Sequence, residues 1–302
     1  MRALRWHGRR DVRLDDIAEP PPPGHDEVLV EVQWCGICGT DLEEFVHGPL
    51  LIPTSPHPLT GAQAPLVLGH EVSARVVESH GALRPGQLVA LDGYYFCGSC
   101  PGCLRHEVQL CEQWGHIGLS APGGLAERMT VPARMAIPAT ATIESDLLAL
   151  AEPFSVAVRA LRRGRLGSRE RIAVLGAGTI GLAVLQVALA RNAEVTVADP
   201  TPDRRALAAR MGAHTVPAAE ELDGRFDLVL DCTGSPAAAA AGLLALRQGG
   251  RLVVVGIPLG SAELDLRKIV LDELSVLGTI GHVYDEDFTE AVGLLCEQRV
   301  DA

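Results

Sequence analysis

Val174-Leu-Gly176-Ala-Gly178-Thr179-Ile180-Gly181 sets three glycines at G-x-G-x-x-G spacing, directly after the apolar run Arg171 to Leu175 and directly before a helical pattern. A strand that turns into a helix on such glycines commits the chain to a βαβ unit. The first glycine makes the tight turn, the second lets the backbone approach a pyrophosphate, and the third lets helix pack closely on strand. Three more short apolar runs follow, Glu194 to Ala198, Phe226 to Asp231 and Gly250 to Val255, separated by alanine-rich, helix-like stretches. This alternation predicts an α/β fold built on a doubly wound parallel sheet. The run Ala237 to Ala241 follows Gly234-Ser-Pro236, which reads as a helix with proline in its first turn.

Asp199 ends the second apolar run, 18 residues after Gly181. A carboxylate there accepts hydrogen bonds from adenosine ribose hydroxyls and repels a 2′-phosphate, which favours NAD over NADP. Arg204 and Arg205 are the counter-signal, being placed to pair with such a phosphate if they turn inward. The stretch Val174 to Ala190 is nearly long enough to span a bilayer but is broken by glycines, Thr179 and Gln186, so it reads as strand, turn and helix rather than as a membrane segment.

The first half has another texture. It holds six of the eight cysteines, eight of the ten histidines and most of the prolines, with short β-type runs such as Glu27 to Val32 and Glu71 to Val77. Short strands joined by ligand-bearing loops are the expectation. The net charge of −12, without a basic cluster, argues against nucleic acid and anionic membrane as partners. The N-terminus lacks a continuous apolar stretch after its basic start, so no export is expected, and cytoplasmic thiols suit metal ligation better than disulfides.

Cys97-x-x-Cys100-x-x-Cys103-x7-Cys111 lies on a glycine-punctuated loop. Four thiolates so spaced can close around one tetrahedral zinc and leave no position for substrate; an iron–sulfur cluster and inert thiols are the alternatives. A second set is dispersed. Cys38 in Cys35-Gly-Ile-Cys38-Gly-Thr40-Asp41, His70 in Gly69-His70-Glu71, and an acidic third ligand, Glu152 or Glu71, make a mixed sulfur, nitrogen and oxygen set of the kind an open catalytic zinc uses. Asp41 is the candidate to orient the His70 ring, Thr40 carries a hydroxyl two residues from the thiolate, and Cys35 reads as a buried thiol.

Taken together, Gly36 to Asp41, Leu68-Gly-His-Glu71, the four-cysteine lobe, Gly123-Gly-Leu-Ala-Glu127, Glu152-Pro-Phe-Ser155 and the glycine turn resemble the zinc-dependent medium-chain dehydrogenase/reductase superfamily over nearly the whole chain. Within it, Phe45 to Pro53 followed by His57-Pro-Leu-Thr-Gly61 looks like the 2,3-butanediol dehydrogenases. The resemblance implies a GroES-like, mainly-β catalytic zinc domain over residues 1–153, with 285–302 as a shortened return segment, and a Rossmann NAD-binding domain over 154–284, with substrate held between them. It implies two zinc ions per chain: a catalytic one on Cys38, His70 and Glu152, with Glu71 able to exchange in, and a structural one on Cys97, Cys100, Cys103 and Cys111. NAD is expected on Gly176, Gly178, Thr179, Ile180, Gly181, Asp199, Arg204, Thr233 and Gly256. The implied activity is oxidation of a secondary alcohol of a small diol, or reduction of the matching hydroxyketone, with Thr40 relaying the proton, by a dimer or tetramer paired through the Rossmann sheet edge, here the strand near Ser275 to Ile280.

Two departures stand out. Where the family commonly has a proton-passing histidine, this chain has Glu43, so relay falls to Glu43, His47 or water. The family also continues for some tens of residues beyond Ala302, and without them an apolar face of the catalytic domain is expected to lie uncovered. The competing readings are a sorbitol-like polyol or L-threonine dehydrogenase and, from another class, a catalytically silent NAD- and zinc-binding protein.

Overall fold

The structure, a computed structural model, describes residues 1–258 and 260–300. These residues form two compact units, one of Met1–Glu152 with Val283–Val300, the other of Pro153–His282.

The first unit runs through β1 (Arg2–Gly8), β2 (Asp11–Asp16), β3 (Glu27–Gly36), α1 (Gly39–His47), β4 (Leu66–Val67), β5 (Glu71–Ser79), β6 (Leu88–Leu91), β7 (Tyr94–Tyr95), α2 (Pro101–Leu104), β8 (Gly115–His116), β9 (Arg128–Pro132), β10 (Ala136–Pro138) and α3 (Ser145–Ala149); α4 (Ala151–Arg163) starts as it ends. Its main sheet is antiparallel, in the order β10-β6-β5-β3-β9. Alternate residues of β3 and β5, Val28, Val30, Val72, Ala74 and Val76, point to one face and build the core with Val89, Leu91 and Met135. Side-chain alternation in a strand is what lets so short a run bury one face and wet the other. Two smaller sheets, β2-β1-β4 and β7-β8, complete the strands of this unit.

Helix α1 buries Glu44 completely. Its carboxylate accepts the backbone N–H groups of Leu50 (3.1 Å), Ile52 (3.2 Å) and Leu51, and its carbonyl accepts from Trp6 Nε1 (3.0 Å). A buried carboxylate is tolerated only when so satisfied, and here it fixes the path of the chain that follows the helix.

The second unit carries β11 (Arg171–Leu175), α5 (Thr179–Ala190), β12 (Glu194–Ala198), α6 (Pro202–Arg210), β13 (His214–Val216), β14 (Phe226–Asp231), α7 (Pro236–Leu244), β15 (Leu246–Val254), α8 (Leu266–Leu271) and β16 (Ser275–Gly278). All six strands are parallel, in the order β13-β12-β11-β14-β15-β16. The order reverses between β11 and β14, the point where open α/β sheets bind ligands at their carboxyl edge. β13 carries no signal of its own, having three residues, none buried, and β16, largely exposed, forms the outer edge in the stretch Ser275 to Ile280 expected to hold an edge strand. Pro236 opens α7 in its first turn, with Ser235 capping through a bond from the Ala238 N–H (3.4 Å).

The chain then returns to the first unit with α9 (Glu286–Cys296), whose buried face is Phe288, Ala291, Val292 and Leu295. Among the described residues no helix is long and apolar enough to cross a membrane; the apolar stretch from Val174 divides into β11, the turn and α5.

Candidate metal and cofactor sites

The register of β3 on β5 builds the open site. Cys35 pairs with Val72 and Gly36 with Glu71 at the end of the ladder, so Cys38, just beyond β3, meets His70, just before β5. A Cβ on residue 36 would collide with the Glu71 carboxylate, which explains the glycine there. Cys38 is also the N-cap residue of α1. Its own N–H donates to Asp41 Oδ2 (2.9 Å), tying the first turn of α1 to the loop.

Ligand atoms of Cys38, His70 and Glu71 all lie within 4.8 Å of one another. Glu152, in the first turn of α4, is buried, and its charge acts on both His70 and Glu71, but it lies outside that group. Of the two candidate carboxylates, Glu71 is the one gathered with Cys38 and His70. Thr40 brings its hydroxyl to 3.8 Å from Cys38 Sγ. Glu43 is exposed, one turn further along α1, and is not among the gathered residues.

Three buried acidic groups, Asp41, Glu71 and Glu152, crowd one imidazole and one thiol. Burial disfavours charge on His70, yet Cys38, Glu152 and Asp41 outweigh it and hold the ring at about 10. Burial, reinforced by Glu152, pushes Glu71 up to about 7, and burial also raises Asp41. His70 Nδ1 and Asp41 Oδ1 are both buried without a hydrogen-bond partner, 3.9 Å apart. A cation on the other ring nitrogen would leave Nδ1 as the donor and Asp41 as its acceptor, so these residues fit a zinc ion.

The closed site is denser. Cys97, Cys100, Cys103 and Cys111 also bring their sulfurs within 4.8 Å of one another. The Cys100 and Cys103 sulfurs are 3.6 Å apart and those of Cys97 and Cys103 3.9 Å, the edge expected of a zinc tetrahedron at about 3.8 Å. N–H groups of Ser99 and Cys100 point at Cys97 Sγ and pull its thiol down to about 6. All eight cysteines are free, and Cys35 is not among either set of gathered ligands.

In the second unit the turn after β11 divides its glycines by task. Gly176 has φ +90°, Gly178 faces open space on its side-chain side, and a Cβ on Gly181 would collide with the Gly176 carbonyl. Thr179 and Ile180 open α5. Asp199, at the end of β12, is buried; its Oδ2 accepts the Ala177 N–H (2.8 Å) and its Oδ1 that of Thr201 (2.8 Å). Those bonds outweigh burial and hold the carboxyl below its ordinary value, ionised and fixed against the glycine turn. Arg204 lies 3.9 Å from the same carboxylate, and Arg205 donates to the Asp199 carbonyl (2.7 Å). Thr233 follows β14, anchored on Asp231 (2.9 Å), and Gly256 follows β15, its N–H on the Asp231 carbonyl (2.9 Å). Thr233 Cγ2 would meet a Cβ on Gly176 at 3.0 Å, so the turn and this second loop share one edge of the sheet.

Sequence reasoning passed over His116, whose ring centroid lies 5.7 Å from that of His70. A lone histidine outside any ligand spacing gives no warning of such a contact.

A parallel-sheet dinucleotide fold and a paired open and closed metal chemistry define a metal-dependent oxidoreductase. The comparisons agree. Residues 24–141 match the alcohol dehydrogenase GroES-like domain and residues 179–297 the zinc-binding dehydrogenase domain. The chain is 33% identical to the (R,R)-butanediol dehydrogenase of Bacillus subtilis, over 98% of this chain and 88% of that protein. A crystal structure of 2R,3R-butanediol dehydrogenase from Bacillus subtilis superposes with TM-score 0.89 at 32% identity, covering 98% of this chain and 88% of that one. A zinc-binding dehydrogenase from Sinorhizobium meliloti bound to NADP superposes with TM-score 0.90 at 28% identity, covering 100% and 90%. The chain belongs to the zinc-dependent medium-chain dehydrogenase/reductase superfamily.

The raised His70 value has a measurable consequence. Between pH 6.5 and about 10 the metal-free native chain keeps a proton on His70 that the unfolded chain has lost. Stability of the metal-free protein therefore falls as pH rises through that window, and His70's contribution is fully present below it. Thermal melts of chelator-treated protein should drop from about pH 7 to about pH 9. His70→Asn should flatten that drop; an unchanged slope in the variant would remove His70 from the account.

Proposed function

We propose that this chain is an NAD-dependent zinc alcohol dehydrogenase that oxidises a secondary alcohol of a small diol of the 2,3-butanediol type, or reduces the matching hydroxyketone. The observation that carries this reading is the convergence of Cys38, His70 and Glu71 within 4.8 Å, beside the Thr40 hydroxyl. Cys38, His70 and Glu71 hold the catalytic zinc, with Glu152 as a carboxylate able to exchange in, and the four cysteines hold the structural one. When bound, zinc acts as a Lewis acid towards the alcohol oxygen and NAD takes up the hydride.

The residues themselves do the rest. Thr40 Oγ1 accepts the alcohol proton as it gives up its own hydroxyl proton, which Glu43, three residues along α1 and exposed, His47 or water carries to solvent. Asp41 orients the His70 ring. Glu44 holds the segment after α1, the one that looks like the butanediol dehydrogenases, through three backbone N–H groups. Gly176, Gly178, Thr179, Ile180, Gly181, Thr233 and Gly256 form the cofactor edge. The butanediol dehydrogenase relative supports the diol assignment. Asp199 supports NAD, and its carboxylate engages Arg204, the residue otherwise suited to a 2′-phosphate. We place the enzyme in the cytoplasm, where cysteines persist without forming disulfides.

Purified protein with NAD and 2,3-butanediol should generate reduced nicotinamide, and chelation should abolish it; a screen with polyols, L-threonine and both cofactors fixes the substrate. Absence of turnover with every diol despite two bound zincs would favour the silent binder. Cys38→Ser should end turnover while NAD still binds, whereas Cys103→Ser should mainly lower folding yield; equal folding loss in both contradicts the two roles.

Asp199→Ala should shift the ratio of kcat/KM values towards NADP by about tenfold or more, the size of one lost charge-assisted contact. An unchanged ratio removes Asp199 from cofactor choice.

A homodimer completes the reading. β16 is the outer strand of its sheet, and Val276 on it and Leu266, Val270 and Leu271 on α8 are exposed apolar side chains. An open strand edge beside an apolar patch suits pairing with a second copy. Sedimentation should give a dimer or tetramer that Val270→Glu weakens; a monomer at assay concentration overturns it.

A further inference from the structure

We infer that His116 is a positioning residue for His70 and that it carries the influence of the four-cysteine lobe to the open metal site. The inference rests on reading Cys38, His70 and Glu71 as zinc ligands. A ligating histidine is ordinarily oriented by a hydrogen bond from its second nitrogen. His70 Nδ1 has none, its nearest carboxylate oxygen being 3.9 Å away. Asp41 at that distance leaves the ring loosely held on its own, and packing supplies the rest of the restraint. The His116 ring meets the His70 ring edge-to-face, with centroids 5.7 Å apart and planes at 90°.

His116 is held on every side. It is 3% exposed. Its ring stacks on Trp114 at 6.0 Å and meets Tyr94 edge-to-face at 4.9 Å. Its N–H donates to Ser120 Oγ (2.9 Å), and its Nδ1 lies 3.0 Å from the Ile117 carbonyl, so the proton sits on Nδ1. A Cβ on residue 93 would stand 2.6 Å from His116 Cε1, so Gly93 leaves the ring just enough room. Aromatic rings so confined cannot tilt without displacing their neighbours.

The other end of the chain of contacts is the closed site. Trp114 packs against the cluster of Cys100, Cys103 and Cys111, and its N–H donates to the Cys111 carbonyl (3.1 Å). Its carbonyl lies 3.1 Å from His57 Nε2. Cys111, Trp114, His116 and His70 thus form one packed series from sulfur to imidazole. Metal in the closed site fixes Cys111, Cys111 fixes Trp114, and the stacked pair fixes the angle at which His70 presents its nitrogen.

The test uses the full chain with zinc in the four-cysteine site and cobalt in the other. Visible d–d absorption reports the cobalt geometry, and competition with a chelator reports its affinity. His116→Ala should shift the bands and weaken cobalt about tenfold, the usual cost of losing an outer-shell support, with NAD binding unchanged. His116→Phe keeps a ring edge against His70 and should return the spectrum towards wild type. Should His116→Ala fail to fold, His116→Leu, which fills space without a ring edge, carries the comparison with phenylalanine. Variants that lower the melting temperature but leave bands and affinity unchanged overturn the inference. Cobalt absorption that survives Cys38→Ser overturns the ligand reading itself, and this inference with it.

Discussion

The pairing of Gly36 with Glu71 across β3 and β5 decides where chemistry can occur in this protein. Two antiparallel strands end together there, and the residues just past one end and just before the other become neighbours although 32 positions separate Cys38 from His70. Because side chains alternate along a strand, a slip of one residue would turn Glu71 into the core and Val72 out of it towards the site. The valine and alanine core on the far side of the same strands forbids that slip. The site is therefore fixed by hydrophobic packing that contains no ligand at all.

Charge at the same place demands a counter-ion. Asp41, Glu71 and Glu152 are each less than one-tenth exposed, and burying carboxylates costs several kcal/mol apiece unless they are paired. In the metal-free chain, proton uptake meets part of the demand, with Glu71 raised to about 7 and His70 held protonated to about 10. A divalent cation meets it without protons and frees the imidazole to ligate. Asp199 shows the opposite solution, a buried carboxylate kept ionised by two backbone N–H groups of its own unit.

Much of this was legible in the chain. Local chemistry wrote itself plainly: the glycine turn, the four buried parallel strands of the second unit and the four-cysteine spacing each depend on residues close in sequence. The edge strand β13 was not legible, because three residues at an edge bury too little to impose an apolar pattern. Nor did spacing choose between Glu71 and Glu152, since only strand register brings one of them within 4.8 Å of Cys38 and His70. His116 left no trace for the same reason: its partners Tyr94 and His70 reach it through sheet pairing and packing, not through a motif.

The cysteines show how far context outruns spacing. Cys35 and Cys38 share the C-x-x-C interval of Cys97 and Cys100, yet burial, with the charges of Asp41 and Glu71, pushes the Cys35 thiol up to about 12. Its sulfur faces Gly69, where a Cβ would stand 2.5 Å from it, so it fills space beside the His70 loop as a neutral group. Cys97 lacks that burial and those two charges, and the N–H groups of Ser99 and Cys100 aimed at its sulfur, with the Ser99 hydroxyl, bring its thiol down instead. Thiolate chemistry in this chain therefore follows the balance of burial, neighbouring charge and hydrogen-bond donors at each sulfur, and the C-x-x-C interval does not set it.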